Sequence, residues 1–331
     1  MPGRAAMLLC VTALFAWSVS GAPALAYLPP PFALLNRDVR SLARSLPAAT
    51  ALDVQDLNTG YTAGFNARKS MPAASTIKLP VMVAVFEQLE TGRFDLNRRV
   101  TLEPQDKDAG SGELCDARDG STYPVSELID KMIDVSDNTA TNMLIRLVGR
   151  RRINTDMEGL GLATTHLLGD VRTDAWSIRA TLRTSPADLV HLLSLMAKGE
   201  LVDRWSSNEM IAILEADQYN TLLPQPLPAD IPIAHKTGSF FDTLNDAGIV
   251  YASDAPYVIA VMTTALPSQD LGRQFIHRIS RLAYSDELRF ARWRSKHDGT
   301  SASPDLTYWT GISEPVPPAL RQAQDRPAPI P

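Results

Sequence analysis

The sequence predicts an α+β fold in which helices flank one antiparallel five-stranded sheet built from both ends of the chain. Two strand-like runs lie near the start of the chain and three lie near its end, and about 160 residues between them are helical in pattern. We therefore expect an all-helical domain, inserted over about residues 70–225, and a cleft where it meets the sheet.

The predicted strands are short runs rich in apolar and β-branched residues and bounded by turn residues. Asn58-Thr59-Gly60 separates the first two and is typical of a hairpin turn, so these two strands are expected to pair. A helix over about residues 269–294 closes the fold, because its apolar residues recur at helical spacing. The five predicted strands cover residues 51–57, 61–66, 233–237, 247–252 and 257–264.

The first 26 residues have the pattern of a secretory signal peptide. Arg4 precedes an apolar run of 15 residues over 5–19, which is shorter than the roughly 20 residues that span a bilayer. Ala24 and Ala26 offer small side chains to a signal peptidase before Tyr27, and an uncleaved membrane anchor is the alternative. We expect a secreted or periplasmic protein that has no stable membrane insertion after cleavage.

Proline is concentrated at both ends of the mature chain. Residues 27–35 contain Pro29-Pro30-Pro31 and are expected to form an extended lead-in. Residues 299–331 contain six prolines after Ser313 and are expected to form a Pro-rich tail. Residues 36–298 are therefore expected to form the folded domain.

Composition and charge exclude several classes of protein. Hydrophobic residues make up 45% and charged residues 21% of the 331 residues, values typical of a soluble globular protein. A net charge of -5 leaves no basic surplus to bind a phosphate backbone, so nucleic acid is not an expected partner. The five histidines show no metal-ligand spacing, and Cys115 would be the single cysteine left after signal cleavage. We expect a monomer without a metal, a cofactor or a disulfide.

Ser75-Thr76-Ile77-Lys78 opens a helix that is apolar on every face as far as Leu89, which predicts that the helix is buried. Ser75 then lies at the positive end of this helix, where backbone N–H groups can stabilise an oxyanion. Lys78 lies one turn further on, where burial near a helix N-terminus disfavours its charged form and suits a base. Taken alone, the motif is also compatible with a serine N-cap followed by a surface lysine.

Two further motifs follow in the chain. Ser136-Asp137-Asn138 separates two amphipathic helices, over 126–135 and 139–148, and Lys236-Thr237-Gly238 ends a predicted strand. Each triplet alone is compatible with a simpler structural role, as a turn with an N-cap or as a strand glycine that allows close backbone approach. Together with Ser-x-x-Lys, and in this order, they indicate one catalytic site.

With these three motifs the chain resembles the serine beta-lactamase and penicillin-binding protein superfamily. The spacings of 61 residues from Ser75 to Ser136 and of 100 residues from Ser136 to Lys236 are similar to those of class A beta-lactamases. Gly110-Ser111-Gly112 also resembles class A, and the likeness covers about residues 36–282. The resemblance implies a beta-lactamase/transpeptidase-like fold with 36–298 as its catalytic domain.

The resemblance also implies a role for each motif residue. Ser75 would attack a lactam carbonyl with Lys78 as its base, and Ser136 would relay the proton to the leaving nitrogen. Lys236 would hold the substrate carboxylate and disfavour the charged form of Lys78, and backbone N–H groups of Ser75 and Ser239 would form the oxyanion hole. The implied catalytic residues are Ser75, Lys78, Ser136 and Lys236, and the implied substrate-binding residues are Asn138, Thr237, Gly238 and Ser239.

One feature of class A enzymes is missing. They deacylate with a glutamate in a loop between the second and third motifs, and residues 163–185 of this chain contain no such segment. The acidic residues there are Asp170 and Asp174, and either could replace the glutamate or could simply solvate or cap the loop.

The sequence therefore predicts an exported serine hydrolase that opens beta-lactam rings through a Ser75 acyl-enzyme. A D,D-peptidase or esterase of the same fold is one alternative, because it needs no loop glutamate. A sensor-like module that binds a beta-lactam or a peptidoglycan-like ligand and acylates without turnover is the other. Fold analogy does not separate these three functions.

Overall fold

The structure is a computed structural model that describes residues 28–173 and 180–297. These residues form ten strands and eight α-helices. The strands are β1 (Ala49–Asp56), β2 (Thr62–Phe65), β3 (Met71–Pro72), β4 (Arg99–Thr101), β5 (Thr122–Pro124), β6 (His166–Leu167), β7 (Leu182–Thr184), β8 (Ile233–Phe240), β9 (Thr243–Val250) and β10 (Tyr257–Thr264). The helices are α1 (Pro30–Ser45), α2 (Lys78–Glu90), α3 (Val125–Asp134), α4 (Asn138–Val148), α5 (Arg150–Gly159), α6 (Pro186–Ala197), α7 (Arg204–Glu215) and α8 (Gln269–His297).

The main sheet has five antiparallel strands in the order β2-β1-β10-β9-β8. Strand β1, from the start of the chain, pairs along its whole length with β10, with Ala49 opposite Thr264 and Asp56 opposite Tyr257. The predicted α+β fold, with an antiparallel five-stranded sheet assembled from both chain ends, is therefore confirmed. The insertion over about residues 70–225 is not all-helical as predicted, because it contains a three-stranded sheet, β3-β7-β6, and a two-stranded sheet, β4-β5, whose strands of two or three residues are too short to show a sequence pattern.

Helices cover both faces of this sheet, and the alternation of side chains in β10 separates two cores. Tyr257, Ile259 and Val261 belong to one core, which is shared with α1 and α8. Val258, Ala260 and Met262 belong to the other core, which is shared with α6 and the remaining helices. A strand buried on both faces reads as a continuous apolar run, which is what the sequence of β10 shows.

Helix α2 lies inside the helical region, and eleven of its residues are buried. Its side chains are apolar on every face, so each face can pack against a neighbouring element. Pro80 is the third residue of α2, where its missing N–H would have no partner within the helix in any case.

The structure differs from the sequence prediction at the lead-in. Residues 27–35 are expected to be extended, but α1 begins at Pro30 and buries Phe32 and Leu35 in the core. Proline is compatible with the first turn of a helix, because the N–H groups of that turn have no partner within the helix. Proline content alone therefore overstates the length of the lead-in.

None of the helices formed by residues 28–173 and 180–297 is both long enough and apolar enough to cross a membrane.

Candidate active site

A cavity of about 240 Å³ opens between strand β8 of the sheet and the helical region. All three sequence motifs contribute side chains to its wall, together with the loop that precedes β7. The lining residues are Ala74, Ser75, Gly110, Ser111, Ser136, Asn138, Val171, Thr173, Leu182, Tyr219, Thr237, Ser239 and Phe240.

Ser75 lies in a short 3-10 turn over Ala74–Ile77 that leads into α2. Ala74 has a positive φ of 46°, a strained backbone for a residue with a side chain, and such strain concentrates at functional sites. Strand β8 packs directly on this turn, since a Cβ added to Gly238 would lie 3.2 Å from the Ser75 nitrogen and 2.9 Å from the Ala73 oxygen. Glycine at 238 therefore allows β8 and the serine turn to share one wall of the cavity.

Lys78 is fully buried, with 0% of its surface exposed. Its Nζ lies 2.9 Å from Ser136 Oγ and 2.8 Å from Asn138 Oδ1, and it also contacts the Ser136 carbonyl oxygen. Burial, and then the positive charge of Lys236, hold the pKa of Lys78 well below its ordinary value. A neutral amine has two N–H groups, which suit the two carbonyl oxygens of Ser136 and Asn138, and its lone pair can then accept from the Ser136 hydroxyl, so the amine and this hydroxyl can exchange a proton.

No hydrogen bond joins Ser75 to Lys78 within residues 28–173 and 180–297, although both belong to the turn that enters α2. Hydrogen bonds between catalytic groups are often long in the absence of substrate and shorten when it binds. The geometry therefore places the serine and the lysine as neighbours without a preformed bond.

The second motif connects α3 to α4. Ser136 has a positive φ of 54°, and Asp137 caps α4 by accepting the Ala140 N–H at 2.8 Å. The other oxygen of Asp137 accepts the N–H groups of Glu113 and Leu114, so this buried carboxylate fixes the turn. Such a fixed turn holds Ser136 towards Lys78.

Lys236 is also fully buried, and it pairs with Asp217, which the sequence analysis did not identify. Lys236 Nζ lies 2.9 Å from Asp217 Oδ2, and neither side chain is exposed. The ring of Tyr219 lies 5.8 Å from the same Nζ, within the range of a cation–π contact. Asp217 Oδ1 accepts the N–H of Tyr219 at 3.0 Å, so one carboxylate positions both the lysine and a residue of the cavity wall.

The loop wall of the cavity, which we define as Val171 and Thr173, is held by side chains of the helical region. Asn142 bonds both the N–H and the carbonyl oxygen of Val171, at 2.8 and 3.0 Å. Asp108 accepts from the N–H and hydroxyl of Thr173 and, at 2.8 Å, from Asn138 Nδ2. Burial acts to raise the pKa of Asp108, but these hydrogen bonds outweigh it and lower the pKa.

The two candidate deacylating residues have different outcomes. Asp170 lies beside the loop wall but is not among the residues that line the cavity, and its side chain contacts Arg172 Nη2 at 3.3 Å. Asp174 lies outside the described residues. None of the described lining residues carries a carboxylate, and Val171 presents an apolar side chain there.

Comparison with known proteins decides the family. Residues 34–286 match the sequence profile described as the beta-lactamase enzyme family. The chain belongs to this family. A beta-lactamase of Streptomyces fradiae is 28% identical over 262 residues, which cover 74% of this chain and 83% of that protein.

Solved structures agree with this fold. PBP-A is 31% identical with a TM-score of 0.73, and the match covers 80% of this chain and all of PBP-A. A leucine-to-glutamate mutant of PBP-A, solved as an acyl-enzyme complex with penicillin G, has the same identity and TM-score and covers 79% of this chain and 100% of that one. A beta-lactamase from Sphaerobacter thermophilus is 28% identical with a TM-score of 0.71, covering 77% and 97%.

The structure thus brings together the motif residues around one cavity of a beta-lactamase-family fold. Ser75, Ser136, Asn138, Thr237 and Ser239 line it. Lys78 lies behind Ser136 and Asn138, Lys236 adjoins Thr237, and Gly238 packs against the serine turn.

Proposed function

We propose that this beta-lactamase-family protein is an exported serine hydrolase that opens beta-lactam rings through an acyl-enzyme on Ser75, and that it hydrolyses this acyl-enzyme slowly. The buried lysine pair beside the serine turn carries the proposal. Lys78 and Lys236 are both fully buried, one is bonded to Ser136 and the other to Asp217. Burying two amines near one serine costs folding free energy, because each loses its hydration, and sites that contain such groups are candidates for catalysis.

In the proposed acylation, Ser75 Oγ attacks the lactam carbonyl carbon and its proton passes to the neutral amine of Lys78. The carbon–nitrogen bond of the ring then breaks, and the ring nitrogen takes a proton through the Ser136 hydroxyl. The 2.9 Å contact between Lys78 Nζ and Ser136 Oγ supports this route, because it lets the proton move from one group to the next.

Substrate binding would use β8 and the start of α4. Lys236 and Thr237 would hold the carboxylate of the substrate, and the N–H groups of Ser75 and Ser239 would stabilise the oxyanion, each by about 3–4 kcal/mol. Asn138 already bonds Lys78 through Oδ1 and Asp108 through Nδ2. One N–H of Nδ2 remains to contact the amide of the acyl side chain. Because Oδ1 and the other N–H already bond Lys78 and Asp108, we propose that the main role of Asn138 is to position Lys78.

The composition of the described loop wall supports the proposal of slow hydrolysis. Hydrolysis of an acyl-enzyme needs a base that activates water, and such a base contributes about 10²–10⁴ in rate. The described lining residues offer Val171 and Thr173 where a loop carboxylate would serve.

A D,D-peptidase of the same fold is the second candidate. The similarity to PBP-A, which extends over the whole of that chain, supports this candidate. The described cavity lining lacks a carboxylate, which is compatible with a peptidase, an esterase and a sensor alike. Export by cleavage of residues 1–26 is part of both candidates and belongs to residues outside the described range.

The deciding experiment follows intact mass and colour together while the mature chain, residues 27–331, is incubated with a chromogenic cephalosporin. We expect a mass increase equal to the acyl group, a burst of colour close to one equivalent, and a slow steady rate. Ser75→Ala is expected to show neither adduct nor burst. An adduct that persists in this variant would refute Ser75 as the nucleophile.

The rate of acylation is expected to rise with pH and reach half its maximum well below the 10.5 of an ordinary lysine, because the base is neutral Lys78 and its pKa is lowered. Below this lowered pKa the amine is protonated and acylation slows. Stopped-flow measurement of the second-order acylation constant across pH tests this expectation. A half-maximum near pH 10.5 would show that Lys78 is an ordinary lysine.

A further inference from the structure

A second cavity, of about 620 Å³, lies at the opposite end of α2 and α4 from the candidate active site. Helix α2 begins with Lys78 at the active site and carries Gln88 into this second cavity, about 15 Å away at 1.5 Å per residue. We call it the arginine pocket, since four of its lining residues are Arg93, Arg98, Arg151 and Arg152. None of its lining residues is acidic.

Most of this positive charge is not neutralised by the protein. Arg152 pairs with Asp156 at 2.7 Å. Arg93, Arg98 and Arg151 are exposed and have no ion-pair partner in the part of the chain that the structure describes. The protein as a whole has a net charge of -5, yet these three guanidinium groups line this one cavity. Their like charges repel one another unless an anion lies between them.

The backbone adds further donors. Helix α5, ten residues long, begins at Arg150, and its cap residue Gly149 lines the arginine pocket. No side chain caps this N-terminus, so the N–H groups of its first turn are open to an external acceptor. The dipole of α5 favours an anion at this point, whereas α2 and α4 present their negative C-terminal ends to the pocket, so the arginines supply most of the attraction for an anion.

A buried amide supplies an independent observation. Gln88 lines the arginine pocket and is only 2% exposed, and its Nε2 has no hydrogen-bond partner among the described residues. A buried donor without an acceptor is unfavourable, so native proteins seldom contain one unless a water or a ligand completes it. Because Nε2 is itself buried in the wall of the pocket, a rotation of the Gln88 amide is needed for it to donate to an anion there.

We infer that the arginine pocket binds an oxyanion of the phosphate type, either as free phosphate or as the phosphate group of a larger molecule. Guanidinium groups match phosphate oxygens in bidentate geometry, and a tetrahedral anion can meet donors from several directions at once. The arginines, the first turn of α5 and Gln88 supply donors from three elements around one cavity. This inference does not depend on the activity proposed for Ser75.

Isothermal titration of the mature chain with inorganic phosphate, at constant ionic strength, tests the inference. We expect saturable binding of one phosphate per chain that acetate does not reproduce. Flotation with phosphatidylglycerol vesicles, compared with phosphatidylcholine vesicles, separates the two sources of phosphate. Binding of inorganic phosphate without vesicle binding indicates a free anion, and selective vesicle binding indicates a lipid headgroup. Binding of neither overturns the inference.

Matched variants separate the pocket from general surface charge. Arg98→Gln and Arg151→Gln are expected to weaken phosphate binding at least about tenfold each, since each removes a bidentate partner. Arg150→Gln is the control, because Arg150 is an exposed arginine of the same helix that does not line the pocket. An equal loss in the control would overturn the inference. Gln88→Met, which keeps the side-chain volume and removes the donor, is also expected to weaken binding, with acylation of Ser75 unchanged.

Discussion

Replacing Val171 with glutamate is expected to accelerate hydrolysis of the acyl-enzyme on Ser75 by about 10²–10⁴-fold. The backbone of Val171 is fixed by two hydrogen bonds from Asn142, and its side chain lines the cavity. A glutamate at this rigid position would place a carboxylate in the same cavity as Ser75, where it could activate water. The loop then needs no movement to bring in a base.

The same carboxylate would also act on Lys78. An additional negative charge nearby favours the protonated lysine, so the pH profile of acylation is expected to shift upwards while deacylation quickens. Steady-state turnover and the lifetime of the acyl adduct measure the two effects separately.

Val171→Gln is the matched control, because it has the size and polarity of the glutamate variant but carries no base. If both variants hydrolyse the adduct at the same rate, a carboxylate at 171 is not what limits turnover. If neither variant acylates, the cavity has been blocked, and a smaller Val171→Asp variant would repeat the test.

Removing the carboxylate of Asp217 is expected to reduce the free energy of unfolding by about 3–5 kcal/mol. Lys236 and Asp217 are each 0% exposed and lie 2.9 Å apart, so Asp217→Ala would leave a buried ammonium without its partner. Breaking a buried ion pair destabilises the fold far more than breaking an exposed one, because water cannot solvate the charge that remains. Urea denaturation of Asp217→Ala against the unaltered protein measures this loss.

A double variant separates stability from activity. Asp217→Leu combined with Lys236→Met replaces the pair by apolar side chains and is expected to recover most of the lost stability. It should not recover acylation, because the proposed carboxylate ligand is gone. If Asp217→Ala lowers the free energy of unfolding by less than about 1 kcal/mol, the range of exposed ion pairs, then the Lys236–Asp217 pair stabilises the fold no more than an exposed pair does.

The parts of the fold that depend on local pattern could be predicted from the sequence. β10 is apolar along its length because both of its faces are buried, and α2 is apolar on every face because it lies inside the helical region. The lead-in was predicted incorrectly, because proline is compatible both with extended chain and with the first turn of a helix, and α1 uses the second property.

Only those residues of the candidate site that belong to a known motif could be predicted from the sequence. Asp217 lies in a loop without a motif, and its importance comes from a contact with Lys236 that no local pattern encodes. Asn142 had a detectable signal, because it lies four residues after Asn138 on one face of α4. Val171 had no such signal, because nothing in the sequence shows that this loop valine lies at the cavity, where Asn142 holds its backbone.

The pairing of β1 with β10 has a consequence for how the chain folds. These two strands are about 200 residues apart in sequence, and pairings of such long range slow folding because a large loop must close first. A nascent chain that ends before β10 has the first strands of the sheet but lacks the strand that joins them to β9. Between the synthesis of β10 and its insertion into the sheet, its apolar run is exposed, and such segments are prone to aggregate. Completion of the sheet is therefore a late event, and a chaperone that shields residues 257–264 would protect the segment most exposed to misassembly.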